Sequence, residues 1–295
     1  MHAAPPPQPF FLDTGAAARF CLYHAPTYAP TYAPTYAPAY APAAACRGAW
    51  LFLHPFAEEM NKARRMAALQ ARALAQQGFA VLQIDLHGCG DSAGDFADAT
   101  WEGWLDDVAR GAAWLRERSG KPVALWGLRL GGLLALDAVQ RGGIVPPAVL
   151  LWQPVTNGGQ ALTQFLRLKV ASQMLTEGAD SGGTTALRQA LAAGQPLEIA
   201  GYTLAPALAL ALDSLDAAKM PAPACPVHWF ELVADAARPV PPAAARVADA
   251  WRQQGADVRT HAVAGPQFWA TQEIAECPAL LDATTAALTG THHAA

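Results

Sequence analysis

The sequence lacks several features that would place it in large classes of protein. Its five cysteines are odd in number and show no C-x-x-C spacing, so neither a disulfide framework nor a zinc site is predicted, and no metal or other cofactor is expected. Charged residues are few, at 15% with a net charge of −4, which gives no reason to expect nucleic acid or an anionic membrane surface as a partner. The N-terminus has no basic start followed by an apolar run, and no stretch reaches the roughly 20 apolar residues that a membrane span needs. We therefore expect a cytoplasmic protein without an integral membrane segment.

What is present indicates a large globular core. The chain has 295 residues, 53% of them hydrophobic, and the simplest account is a single α/β domain over 1–295. Proline recurs at every fourth position between Pro26 and Pro42, so the Pro/Tyr-rich stretch 26–45 is predicted to be an extended, polyproline-like loop. We favour a tolerated surface expansion over a peptide-ligand role for its tyrosines.

Strand-like apolar runs alternate with helical patterns along the chain. After an opening hairpin of 9–12 and 19–23, strands are predicted at 49–53, 79–84, 122–126, 148–152, 227–233 and 258–263. Helices are predicted at 60–77, at 101–118, from 133 onward, at 243–254 and at 278–288. This alternation predicts a mostly parallel central sheet with helices on both faces. The segment 158–220 has helical patches broken at Gly178 and at Gly182 and Gly183 and no clear strand, which indicates a helical cap insertion.

The stretch from Lys121 to Gln140 has the form of a nucleophile elbow. A buried strand leads into the glycine-flanked turn GLRLG and then directly into an apolar helix, and the glycines on either side let such a strained turn close against the sheet. The central residue is Arg129, where a nucleophilic enzyme needs Ser, Cys or Asp. An arginine does not lose its proton at physiological pH, so it cannot attack a carbonyl.

With this elbow in place, the chain resembles the α/β-hydrolase superfamily over nearly its whole length. Three stretches, 54–62 (HPFAEEMNK), 85–92 (DLHGCGDS) and 127–131 (GLRLG), look more narrowly like the exosortase A system-associated hydrolases, type 2. The resemblance implies the α/β-hydrolase fold and a bacterial setting of exopolysaccharide production and protein sorting, with exosortase-system proteins as partners. It implies no known substrate.

A hydrolase triad follows the order nucleophile, acid, histidine. Asp235 comes just after a predicted strand, where a carboxylate would orient an imidazole. The position after the last strand, where the histidine is expected, holds Gln267, which donates and accepts hydrogen bonds but is not a general base. Two of the three triad positions therefore look incompetent.

Other polar residues are candidates for the missing roles. Ser92 lies in a literal G-x-S-x-G match, but no apolar helix follows it directly, so we favour a turn role over a nucleophilic one. His54 and His87 lie in loops that could face the cleft, where either would act as a base or simply bond nearby backbone. His261 lies inside the last strand, where packing is favoured.

Five charged residues stand together at a helix start: Glu58, Glu59, Lys62, Arg64 and Arg65. Most of this cluster is predicted to be a solvated face, although either glutamate could pair with Arg129 across the cleft. If Arg129 is unpaired, its guanidinium and the amide of Leu130 at the helix N-terminus suit a carboxylate or phosphate, with Gln267 as a further ligand contact.

Two principal functions follow. We favour a hydrolase-fold protein that lacks Ser-His-Asp chemistry and serves the exosortase-associated system as a binding or accessory protein, taking a small-molecule acyl or anionic ligand, because loss of nucleophile and base leaves little of a triad enzyme's rate. The alternative is an active ester or thioester hydrolase or acyltransferase with an atypical site drawn from Ser92, His54, His87 and Asp235. A third hypothesis is an adaptor that acts through the Pro/Tyr-rich loop.

Overall fold

The computed structural model describes residues 5–27, 46–176, 182–235 and 237–290. Two antiparallel strands open the chain, β1 (Gln8–Leu12) and β2 (Arg19–His24), which confirms the predicted hairpin. Nearly all of the Pro/Tyr-rich stretch lies in 28–45, outside the described residues, so its polyproline-like conformation stays a prediction.

Eight strands form one sheet in the order β1-β2-β4-β3-β5-β6-β9-β10. The six after the hairpin are β3 (Gly48–Leu53), β4 (Phe79–Ile84), β5 (Val123–Leu128), β6 (Val149–Trp152), β9 (Val227–Val233) and β10 (Val258–Ala264). These six pair in parallel, while β2 pairs antiparallel with β4. Every residue of β5 and β9 is buried, as expected for parallel strands covered on both faces.

Five helices cover the two faces of the sheet: α1 (Glu58–Gln76), α2 (Trp101–Ser119), α3 (Leu130–Gln140), α7 (Pro242–Gln253) and α8 (Pro278–Thr289). Because side chains alternate along a strand, β3 contributes Trp50 and Phe52 to the core under α1 and α8. Leu51 and Leu53 enter the other core, under α2, α3 and α7. The predicted sheet with helices on both faces is confirmed.

The segment between β6 and β9 contains α4 (Gly158–Thr176), α5 (Gly183–Ala192), β7 (Leu197–Ile199), β8 (Tyr202–Leu204) and α6 (Pro206–Ser214). The prediction that it holds no strand was wrong, because β7 and β8 form a hairpin. Its two-residue turn has Ala200 and Gly201 at φ of 50° and 84°, the backbone of a type I′ turn, but alanine gives no sequence signal for that turn. The predicted break at Gly178 lies outside the described residues, and the one at Gly182 and Gly183 is confirmed by the start of α5.

Candidate functional site

The turn between β5 and α3 has the backbone of a strained elbow. Arg129 adopts φ 55° and ψ −117°, a conformation that the Cβ of any residue but glycine makes unfavourable. Two hydrogen bonds hold it there, from the Arg129 amide to the Trp152 carbonyl and from the Val155 amide to the Arg129 carbonyl, both 3.0 Å long. The chain after β6 therefore fixes the elbow residue on both sides of its Cα.

Glycine is required on both sides of Arg129 because backbone approaches there at contact distance. A Cβ added to Gly127 would lie 2.3 Å from the carbonyl oxygen of Gly131, and one added to Gly131 would lie 2.2 Å from the carbonyl oxygen of Leu53. The sequence pattern that predicted the elbow thus has a direct steric cause.

Two further residues with positive φ lie near Arg129. Ala57, in the loop between β3 and α1, has φ 48°, and Gln153, directly after β6, has φ 42°. The carbonyl oxygen of Gln153 lies 3.5 Å from Nη1 of Arg129. Strained non-glycine backbone of this kind persists where the surroundings over-determine it, and it is concentrated at functional sites.

The Arg129 side chain is paired. Its Nε donates to Oε1 of Glu59 at 3.2 Å, and its guanidinium carbon lies 5.2 Å from the centre of the Trp269 ring, within the range of a cation–π contact. Burial raises the pKa of Glu59, and the positive charge of Arg129 partly opposes that rise. Of the two alternatives that the sequence left open, pairing with Glu59 is therefore the one observed.

The side chains of Arg64 and Arg65 in the charge cluster are 38% and 58% exposed, and each forms an ion pair. Arg64 donates through both terminal nitrogens to Asp85, at 3.3 and 2.9 Å, and Arg65 pairs with Glu276. These contacts join the first turns of α1 to the loop after β4 and to the segment before α8.

The predicted acid Asp235 and the predicted ligand contact Gln267 lie at the surface. Asp235 is exposed, and its Oδ1 accepts a hydrogen bond from the amide of Ala237 at 3.0 Å. Gln267 is also exposed. The loop after β10 contacts Arg129 through Trp269, and within the described ranges neither Asp235 nor Gln267 forms a hydrogen bond with Arg129.

Ser92 holds two segments of the chain together. Ser92 is only 9% exposed. Its Oγ donates to the carbonyl of Asp85 at 2.5 Å and accepts from the amide of Phe20 at 2.9 Å. The hydroxyl therefore links β2 to the loop after β4, which is the turn role that the sequence favoured.

The two loop histidines differ in how far their ring nitrogens are already engaged in hydrogen bonds. His54 is buried, its Nε2 accepts from the amide of Leu86 at 3.2 Å, and its Nδ1 lies 2.7 Å from the carbonyl of Pro55. An amide only donates, so Nδ1 carries the proton and donates to that carbonyl. Burial also lowers the pKa of His54. His87 is half-buried, and its Nδ1 has no hydrogen-bond partner among the described residues.

His261 packs within the sheet, as expected from its place in a strand. Its ring stacks on Phe230, with centroids 4.3 Å apart, and on His228 at 5.9 Å. Burial lowers the pKa of His228 to about 4, with the neighbouring His261 adding to the effect.

Glu231 is a site residue that sequence reasoning missed. It is 3% exposed, and its Oε1 accepts from the indole Nε1 of Trp229 at 2.6 Å. Burial raises the pKa of Glu231 to about 7, against the opposing effects of this hydrogen bond and of the charge on Arg129. The available signal was an acidic residue inside the otherwise apolar strand VHWFELV, since an uncompensated carboxylate is rare in such a place.

The first turn of α3 borders a small cavity. A cavity of about 10 Å³ lies between the loop after β3, α2 and the start of α3, which is room for about one water. Phe56 forms its wall and packs against Phe96, Trp104 and Phe165 of α4, at centroid distances of 5.4, 6.1 and 5.0 Å. The insertion between β6 and β9 therefore contributes to the covering of the elbow.

The described residues contain neither a metal-binding cluster nor a membrane-spanning helix. No group of three or more His, Cys, Asp or Glu side chains there is placed to hold a metal ion. Nor does that part of the chain contain a helix long and apolar enough to cross a membrane.

Comparison with known proteins agrees with this architecture. A family model described as serine aminopeptidase, S33, matches residues 44–179. Protein ABHD12B from Homo sapiens is 34% identical over 124 residues, which cover 41% of this chain and 33% of that protein. The match thus spans about a third of the relative's own length.

Solved structures superpose over almost the whole chain. Est1E from Butyrivibrio proteoclasticus, with ferulic acid bound, gives a TM-score of 0.62 at 16% identity, covering 95% of this chain and 96% of that one. A thermostable carboxyl esterase from Bacillus coagulans, in complex with glycerol, gives 0.61 at 14% identity, covering 97% of both chains.

The strand order, the strained turn and these superpositions define the α/β-hydrolase fold, as the sequence predicted. The narrower resemblance to exosortase-associated hydrolases stays a prediction.

Proposed function

We propose that this chain is a small-molecule-binding or accessory protein of the α/β-hydrolase fold, which takes an acyl or anionic ligand at Arg129 and does not hydrolyse it. The observation that carries the proposal is that Arg129 occupies the elbow in its strained conformation, φ 55°. The fold retains this strained backbone at a cost of about 1–3 kcal/mol, although the side chain presented there cannot act as a nucleophile.

The groups around the elbow suit an anion with an apolar body. Nη2 of Arg129 has no hydrogen-bond partner among the described residues, and the amide of Leu130 stands at the first position of α3, where backbone donors are free. The half-buried ring of Phe56 lines a small cavity together with Leu130, whereas Trp269 is buried beneath the guanidinium of Arg129. Ferulic acid, the molecule named with the Butyrivibrio structure, is an aromatic carboxylic acid and is therefore a reasonable probe.

The hydroxyl of Ser92 supports this function over an atypical hydrolase. Both its donor and an acceptor site are engaged with backbone groups, so a nucleophilic role would require the loop after β4 to separate from β2. The resemblance to exosortase-associated hydrolases is the basis for proposing exosortase-system proteins as partners.

The test combines turnover and binding. We expect the purified protein to hydrolyse acetyl and octanoyl p-nitrophenyl esters and acyl thioesters no faster than buffer. Ferulate and octanoate should change the tryptophan fluorescence of the wild type, and the change should be lost in Arg129→Ala and reduced in Trp269→Phe. Arg141→Ala, which removes an arginine at the far end of α3, is the matched control and should bind as the wild type does.

Two results would overturn the proposal. Turnover that disappears in Ser92→Ala would establish an active hydrolase with a relocated nucleophile. Binding that persists in Arg129→Ala would show that the ligand lies elsewhere.

A further inference from the structure

The contact between Arg129 and Glu59 is a partial one. A guanidinium beside a carboxylate commonly forms two parallel hydrogen bonds, but here Nε and Oε1 form a single bond of 3.2 Å. Arg64, a few residues along α1 from Glu59, makes the two-pronged contact with Asp85. Arg129 therefore bonds one carboxylate oxygen, and its Nη2 has no hydrogen-bond partner among the described residues.

Glu59 reaches this position from the first turn of α1. Its side chain is 21% exposed and that of Arg129 is 18% exposed, so neither is sealed in the core. The flexible stem of a glutamate allows its carboxylate to turn toward solvent without movement of the helix, since rotamer changes in part-exposed side chains are fast. The carboxylate of Glu59 can therefore move away from Arg129 while the backbone of Glu59 stays in α1.

From this geometry we infer that Glu59 occupies the position of the ligand's carboxylate, so that carboxylic acids are the ligand class and binding displaces Glu59 from Arg129. The inference rests on the proposed function. The ring of Phe56, which lines the small cavity beside Leu130, would then face the apolar part of the acid, while Nη2 and Nε of Arg129 bond its carboxylate. Phosphate, which has no apolar body, should bind less well.

Glu59 would compete with the ligand for Arg129 and so lower the affinity of the site for the ligand. Each bound ligand must replace the Glu59 contact, and it also meets the negative charge of the displaced carboxylate. A part-exposed ion pair contributes roughly 0.2–1 kcal/mol, and the remaining repulsion adds to this. Removing the charge of Glu59 while keeping its shape should therefore tighten ligand binding by about two- to fivefold.

The experiment measures the dissociation constants of octanoate, ferulate and inorganic phosphate for four proteins: wild type, Glu59→Gln, Glu58→Gln and Arg129→Ala. Glu58→Gln is the matched control, because it removes the same charge one residue away and Glu58 makes no ion pair with Arg129. We expect Glu59→Gln to bind octanoate and ferulate about two- to fivefold more tightly than wild type. Glu58→Gln should change binding by less than about twofold, since a charge without direct contact is largely screened.

The outcomes separate this inference from the function on which it rests. Equal affinities of wild type and Glu59→Gln, with binding lost in Arg129→Ala, would refute displacement of Glu59 and leave the binding function intact. An equal gain in Glu58→Gln and Glu59→Gln would also refute it, since general charge would then be the cause. Absence of binding in every variant, each confirmed as folded by circular dichroism, would refute the proposed function itself.

Discussion

Arg129 is a residue whose backbone and side chain make opposite contributions to stability. Its φ of 55° favours glycine, whereas its side chain contacts Glu59 and Trp269. Arg129→Gly and Arg129→Ala lose the same contacts but differ at the strained backbone. We therefore expect the glycine variant to be more stable than the alanine variant by about 1–2 kcal/mol, measured by urea unfolding.

A helical position supplies the control for that comparison. Ala135→Gly in the buried interior of α3 should lose about 1 kcal/mol of stability or more, because glycine is disfavoured in helices. Equal stabilities of the two Arg129 variants would mean that the elbow relaxes once the side chain is removed.

Glu231 makes stability depend on pH. Burial raises its pKa from 4.5 to about 7, so between these values the folded state binds more protons than the unfolded state, and stability falls as pH rises through that window. Glu231→Gln keeps an oxygen for Trp229 and removes the titration. It should exceed wild type in stability at about pH 8 by on the order of 1–3 kcal/mol, with a smaller difference at about pH 5.

The exposed Glu117 of α2 provides the matched change for Glu231. Urea unfolding of Glu117→Gln should follow the wild type at both pH values. A Glu231→Gln variant whose stability relative to wild type is independent of pH would show that the carboxyl is already ionised in the folded state at both pH values.

Among the elements, the strands with apolar runs bounded by turn residues were predictable, and the hairpin of β7 and β8 was not. The strands at β4 and β9 were predicted to the residue, because continuous apolar runs bounded by turn residues have few other interpretations. Strand β5 begins one residue later and ends two residues later than predicted, since Gly127 and Leu128 still pair with β6. Strands β7 and β8 have three residues each, too few to show a period.

The turn of that hairpin offers a test at the element scale. Ala200 has φ 50° as the first central residue of a type I′ turn, a position where asparagine is strongly preferred. Ala200→Asn should stabilise the protein by about 0.5–1 kcal/mol, measured as an upward shift of the unfolding midpoint. Ala193→Asn, at the end of α5 with φ −81°, should give no such gain, and a loss in Ala200→Asn would contradict the assigned turn.

At the scale of the whole molecule, the sequence revealed the frame of the site but not its contacts. The elbow, its glycines and the unsuitability of Arg129 as a nucleophile follow from local spacing. Glu231 and the Glu59 pair were not determined in the same way, because a buried carboxyl acquires its pKa and its partners only when distant strands and helices pack. The same holds for His54, whose tautomer is fixed by an amide 32 positions away in sequence.

Asp107 joins three distant parts of the fold. Its side chain is fully buried, Oδ1 accepts from Nε of Arg19 at 2.8 Å, and Oδ2 accepts from the amide of His87 at 2.7 Å. Asp107→Asn would leave the buried Arg19 without a counter-charge, and breaking a buried pair in this way costs about 3–5 kcal/mol. We expect a correspondingly lower urea midpoint.

The neighbouring residue Asp106 provides the control for the destabilisation expected in Asp107→Asn. Asp106 is exposed, so Asp106→Asn makes the same chemical change on the same helix and should shift stability by less than about 0.5 kcal/mol. If Asp107→Asn were no more destabilising than Asp106→Asn, water would have to solvate Arg19 in the folded state. Because Asp107 also fixes the amide of His87, its loss should speed amide exchange across the loop after β4 more than across β9, whose ladder it does not contact.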